Sequence, residues 1–203
     1  MGKAKERTVG QCLYIFSPRC LTNALAYTSS EEQPLYQPTW VFGYGSLIYK
    51  VDFPFLQREV ATIIGWQRRF WQGSHDHRGT PESPGRVVTL VPKKEALCKG
   101  VAYLVEPTVF KHLDHREKNG YRRFHCPIEL HQQKENVSGV VYVASQENPA
   151  FLGPASIEEL AGHIRKSHGP SGSNREYVLR LAQSLRELGE RDPHIEALEA
   201  LLL

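Results

Sequence analysis

The sequence predicts a single α+β domain built on a largely antiparallel or mixed sheet. Three observations lead there. Segments rich in aromatic and β-branched residues occupy 40–144, and helical patterns fill roughly the last sixty residues. No strand–helix–strand alternation of the kind that makes a parallel sheet is present. Charged or glycine-bearing turns separate the β-type runs, and capping signals open the later helices.

In chain order, "WVFGYGSLIY" (40–49) is a β-type run interrupted by glycines, and "EVATIIGWQRRFW" (59–71) reads as a strand pair or one bent strand. "GRVVTLV" (85–91) and "GVAYLV" (100–105) flank "PKKEAL", which predicts a hairpin. A helix follows, with Pro107 in its first turn and Gly120 past its end. "YRRFHCPIEL" (121–130) then pairs with "GVVYVA" (139–144) across a charged turn. Ser156 with Glu159 is a capping box for a helix running to about His168. "GPSGSN" breaks the chain, Asn174 is the expected cap of a helix carrying Val178, Leu181, Leu185 and Leu188, and Asp192-Pro193 opens a last short helix.

The 203 residues are 40 % hydrophobic and 23 % charged, enough for one core without disulfide or metal staples. A formal charge of +3 is too mild to imply a nucleic-acid partner. Cys12, Cys20, Cys98 and Cys126 show no CxxC spacing and read as reduced cytosolic thiols. No apolar run reaches the roughly 18 residues needed to span a bilayer. Residues 1–39 carry no clear period and are expected to be a disordered extension, with the folded domain at 40–203. "MGKAKE" fails the myristoylation pattern because Glu6 replaces Ser or Thr, while the early excess of Lys and Arg leaves a transit peptide open.

Glu117 is the residue that sits oddly. Phe110 and Leu113 form an apolar stripe, and the next position on that face is a carboxylate in the last turn. A rotated helix would leave Glu117 at the surface beside an arginine. An inward side chain would instead feel burial and the negative helix end, both raising its pKa from about 4.3 and making it a useful proton acceptor. "FGYGSL" (42–47) lacks the third glycine of a dinucleotide loop, and Ser46 is in no nucleophile elbow. Its two glycines suit either a nest of convergent N–H groups or a bulged strand. His75 with His77, and His112 with His115 around Asp114, offer a rival metal site for hydrolysis. Arg68 and Arg69 are adjacent, so a strand sends them to opposite faces and makes no basic surface for RNA or DNA. Tyr177 reads as a core tyrosine with its hydroxyl at a rim, or as one overhanging a pocket.

"VFGYGSLI", "PGRVVTL", "GVAY", "REKNGY" and "GPSGSNREYV" occur in the order found in the ChaC family, the glutathione-specific γ-glutamylcyclotransferases, which this chain resembles from Trp40 to about Leu188. The "REKNGY" block is most similar to the paralogue described as constitutive. The resemblance implies a γ-glutamylcyclotransferase-like fold, a small barrel-like mixed or antiparallel sheet with flanking helices. It also implies cofactor-free cytosolic cleavage of reduced glutathione to 5-oxoproline and cysteinylglycine. A monomer that engages neither membrane nor nucleic acid is expected. The alternatives are the metal hydrolase and a non-catalytic ligand-binding domain of the same fold. The resemblance places the catalytic glutamate at Glu117 and substrate binding at Val41, Phe42, Gly43, Tyr44, Gly45, Ser46, Leu47 and Tyr177, with no metal ligand. Arg86, Arg68 and Arg69 are candidate partners for the glycine carboxylate of glutathione. Asn119, Tyr49 and Lys99 depart from the family's usual Gly, Trp and Trp, and the last two bear on affinity.

Overall fold

The computed structural model describes residues 37–117 and 120–203. Cys12, Cys20, Asn119, the leader alternatives and nearly all of the expected extension therefore lie outside the described residues.

Five strands close into a barrel: β1 (Thr39–Gly43), β2 (Gln57–Ser74), β3 (Gly85–Val105), β4 (Tyr121–Leu130) and β5 (Glu135–Ala144), in the order β1-β3-β2-β4-β5. All neighbours are antiparallel except β1 with β5, where Trp40 opposes Gly139 and Phe42 opposes Val141 in parallel. The sheet is therefore mixed. Alternation within the strands turns Val41, Ala61, Ile63, Val101, Tyr103, Ile128, Leu130 and Val141 into a fully buried interior.

The expected hairpin between 85–91 and 100–105 does not form. Both segments belong to β3, a single 21-residue strand running beside the 18-residue β2. Val101 opposes Val60 and Leu90 opposes Arg68, with the register shifting between Ile64 and Trp66. The charged "PKKEAL" lies opposite Gly65 at that shift, so it is a bulge in one strand, not a turn between two. Local composition is alike in both cases; only the long partner strand distinguishes them.

The remaining helices are α1 (Phe110–Arg116), entered by a 3-10 turn at Pro107–Val109, then α2 (Ile157–Lys166), α3 (Asn174–Glu187) and α4 (Pro193–Leu202). Ser156 and Glu159 make the capping box on α2, and Asp192 caps α4 ahead of Pro193. Leu160 and Ile164 of α2, Val178 and Leu181 of α3 and Leu198 of α4 are buried in the same core. The cap of α3 is Ser173, whose Oγ accepts the Glu176 N–H at 3.1 Å. Asn174 is instead wholly buried, taking the Arg86 N–H at 2.6 Å and donating to the Arg86 carbonyl at 2.7 Å. It ties α3 to β3. Two short strands, β6 (His168–Gly169) and β7 (Gly172–Ser173), pair just before α3.

Candidate active site

The stripe on α1 is real: Phe110 and Leu113 are buried, and Glu117 follows as the C-terminal cap. Its N–H donates to the Leu113 carbonyl at 2.9 Å, which carries the helical path one residue further. The Glu117 side chain is 18 % exposed, turned inward, yet its Oε1 also lies 3.4 Å from Arg116 Nε. Features of both sequence alternatives are thus present. Burial pushes the Glu117 carboxyl above its ordinary value, Arg116 opposes this, and Asp52 adds to it. Gly120, just before β4, has a φ of 86°, which favours glycine.

Two adjoining cavities, of about 180 and 70 Å³, share Ser46, Glu117, Tyr121 and Tyr177 in their walls. Phe42, Gly43, Tyr44, Gly45, Ser46 and Leu47 border the smaller one. Val41 borders neither; it is a core residue of β1. After β1, Ser46–Ile48 forms a single 3-10 turn whose opening N–H groups have no acceptor within the turn itself. Gly45 is required there by close approach. A Cβ on it would stand 2.9 Å from Val88 Cγ1 and 3.2 Å from the Tyr177 hydroxyl.

Tyrosines line the smaller cavity. The Tyr44 hydroxyl donates to the Tyr142 carbonyl at 2.9 Å, and Tyr121 to the Val88 carbonyl at 3.2 Å. Burial pushes the hydroxyls of Tyr44, Tyr121, Tyr142 and Tyr177 upward, so all four stay neutral and offer no competing base. Tyr177 also packs edge-on against Phe70, with the Arg78 guanidinium carbon 5.5 Å from its ring centre.

Arg78, which the sequence reading missed, lines the larger cavity together with Glu117. Ser74 Oγ accepts its N–H at 3.0 Å, and its Nη1 donates to the Ser173 carbonyl at 3.1 Å, 3.7 Å from Glu176. Its only sequence signal was the "DHRG" stretch after β2. Arg116 was likewise visible only as Glu117's neighbour.

The arginines that were singled out go elsewhere. Arg68 is 1 % exposed and bonded to the Tyr44 and Lys99 carbonyls and to Asp192. Arg86 is buried, donating to the Phe70 and Gly153 carbonyls. Arg69 donates to the Arg68 carbonyl and to Gln67. None borders the two cavities, because strand alternation sends Arg68 inward as a strut and Arg69 to another face.

The histidine pairs do not converge. His112 stands 3.4 Å from Asp52, His115 is exposed, and His77 bonds Ser171 at 3.1 Å in the wall of the larger cavity. Among the described residues no group of three or more His, Cys, Asp or Glu is arranged to hold a metal ion. Burial pushes the Cys98 thiol up to about 11 and the Cys126 thiol to about 12, so neither is a thiolate nucleophile near neutral pH. Among the described residues no helix is long and apolar enough to cross a membrane.

The site is thus an inward carboxylate beside a glycine turn, and the chain around it matches the model of the ChaC-like proteins over residues 39–203. The chain belongs to this ChaC-like family. γ-Glutamylcyclotransferase 2-3 of Arabidopsis thaliana is 44 % identical to this ChaC-like chain over 167 residues, covering 77 % of it and 84 % of the relative. Glutathione-specific γ-glutamylcyclotransferase 1 of Danio rerio is 42 % identical over 175 residues, covering 81 % and 88 %. A crystal structure of a yeast γ-glutamylcyclotransferase specific to glutathione superimposes with a TM-score of 0.76 at 32 % identity, covering 82 % of this chain and 96 % of that one. The ChaC-like chain therefore has the γ-glutamylcyclotransferase fold.

Proposed function

We propose that this chain is a glutathione-specific γ-glutamylcyclotransferase, releasing 5-oxoproline and cysteinylglycine from reduced glutathione with Glu117 as the proton-transfer group. The observation that carries the assignment is a largely buried carboxylate facing a glycine turn in one cavity, in a chain about 40 % identical to enzymes bearing that name.

In a γ-glutamyl peptide the α-amine can reach its own side-chain carbonyl. Nucleophile and electrophile are already tethered, so the protein holds the folded-back conformer, a pre-orientation worth about 7 kcal/mol or more. Glu117 accepts a proton from the ammonium, and the freed amine attacks the γ-carbonyl carbon, forming the lactam C–N bond. As the bond to the cysteine nitrogen breaks, the same carboxyl returns its proton to that nitrogen. It then takes the second proton shed by the ring nitrogen and passes it to the freed amine, which leaves as an ammonium. No water is consumed. The N–H groups at Gly45–Leu47, which find no acceptor within the 3-10 turn, suit negative charge, either the α-carboxylate or the developing oxyanion. Arg78 and Arg116 supply the cations that a substrate with two carboxylates calls for. Tyr177, wedged against Gly45, shapes the smaller cavity.

We further infer a cytosolic monomer, its residues 1–39 an extension to the catalytic domain. The "REKNGY" block favours the constitutive paralogue. The test is incubation with reduced glutathione and mass-spectrometric detection of both products. Glu117→Gln, nearly isosteric, lowers cysteinylglycine release by at least about 100-fold, the usual worth of a general base. Turnover within a few-fold of wild type removes Glu117 from that role. EDTA leaves the rate unchanged; inhibition reversed by Zn²⁺ would favour the metal hydrolase instead.

A further inference from the structure

Arg116 touches the candidate base and the glycine turn at once. Its Nε lies 3.4 Å from Glu117 Oε1, and its Nη2 donates to Ser46 Oγ at 3.0 Å. The third edge of the guanidinium is taken by a residue outside every motif discussed above: Nη1 donates to Asp52 Oδ1 at 2.6 Å. A guanidinium is planar with donors in fixed directions, so an anion on one edge dictates where the other two point. Asp52 sits on the loop between the 3-10 turn and β2, and it lines the larger cavity.

We propose that Asp52 is a positioning residue for the reaction: by holding Arg116 between Ser46 and Glu117 it sets where the base points and how much uncompensated positive charge it faces. The proposal rests on Glu117 being the base. Burial raises the Asp52 carboxyl, but Arg116 and His112 together outweigh burial and hold it below its ordinary value. Asp52 is therefore ionised over the working pH range. It shares Arg116's charge, and its own charge also disfavours ionised Glu117. Removing that charge leaves Glu117 more firmly ionised and a weaker proton acceptor.

Other groups face Glu117 too. Lys50, Asp76, His77 and Arg78 line the same cavity, and His112 shares Asp52. Tyr44, Tyr121, Tyr142 and Tyr177 remain neutral, as described above. Arg78 has its own partners in Ser173 and Glu176.

The experiment is the pH dependence of kcat/KM with reduced glutathione. Glu117 acts when ionised, so activity is lost as pH falls through its folded-state pKa. In Asp52→Asn the acid limb moves to lower pH and kcat falls by roughly two- to fivefold, the factor expected of one partly exposed charge contact. Asp52→Glu, which keeps the charge, holds the limb near wild type. Arg116→Gln moves it the opposite way, and in that background Asp52→Asn shifts it by less than in the wild type, because only the direct charge effect of Asp52 on Glu117 remains. His77→Gln and His112→Gln leave the Asp52→Asn shift in place. A merely structural Asp52 would lower the yield of folded enzyme with the limb unmoved; that result overturns the proposal, as does an equal shift without Arg116. A wild-type chain that releases no 5-oxoproline refutes the enzyme assignment itself, a separate failure.

Discussion

Replacing Arg68 with leucine separates a buried strut from a substrate-binding arginine. Its guanidinium is 1 % exposed, and its Asp192 partner, 3.4 Å away, is 11 % exposed. Nε donates to the Tyr44 carbonyl at 2.8 Å, and another nitrogen to the Lys99 carbonyl. Leucine fills much of the volume but leaves Asp192 without its counter-charge and strips two carbonyls of a donor. Breaking a buried pair from one side costs about 3–5 kcal/mol, a large share of the roughly 5–15 kcal/mol typical of a whole domain. At about 2–4 °C per kcal/mol for a domain of this size, the melting temperature falls by roughly 6–20 °C. The assay is thermal unfolding followed by circular dichroism, with KM for glutathione measured well below the transition. The expected outcome is a large loss of stability and a KM changed by less than about threefold. A melting temperature within about 2 °C of wild type, joined to a KM raised tenfold or more, would refute the burial argument and return Arg68 to the substrate site.

Two further predictions concern the same scaffold. Because burial raises the Glu117 pKa in the folded state, its ionised form destabilises folding: nothing below the unfolded value of about 4.3, and fully once pH exceeds the folded value. Glu117→Gln is thus expected to be more stable than wild type in urea at neutral pH and equal to it near pH 3.5; the reverse order would contradict an inward carboxylate. Ser173→Ala, which removes the cap of α3, costs about 1 kcal/mol, whereas Asn174→Ala strands two buried backbone groups of Arg86 and costs about 2–4 kcal/mol. Chemical denaturation ranks the pair, and a larger loss at Ser173 would reinstate Asn174 as the cap.

What the sequence determined by itself was local. Period and punctuation located the strand-forming runs, the capping box at Ser156, the Asp192-Pro193 helix start and the carboxylate closing the Phe110–Leu113 stripe. Each depends on residues within a few positions of one another, where side-chain direction follows from backbone geometry. Ordered blocks from "VFGYGSLI" to "GPSGSNREYV" carried the family. Tertiary structure alone decided the rest. Alternation puts Arg68 and Arg69 on opposite faces, but only barrel closure decides which face is inside, and it made Arg68 a strut. Whether 85–91 and 100–105 pair together or lie along one strand depended on β2, some thirty residues earlier. Arg78 and Asp52 reach the cavity that holds Glu117 from loops distant in sequence, a placement that no local period encodes.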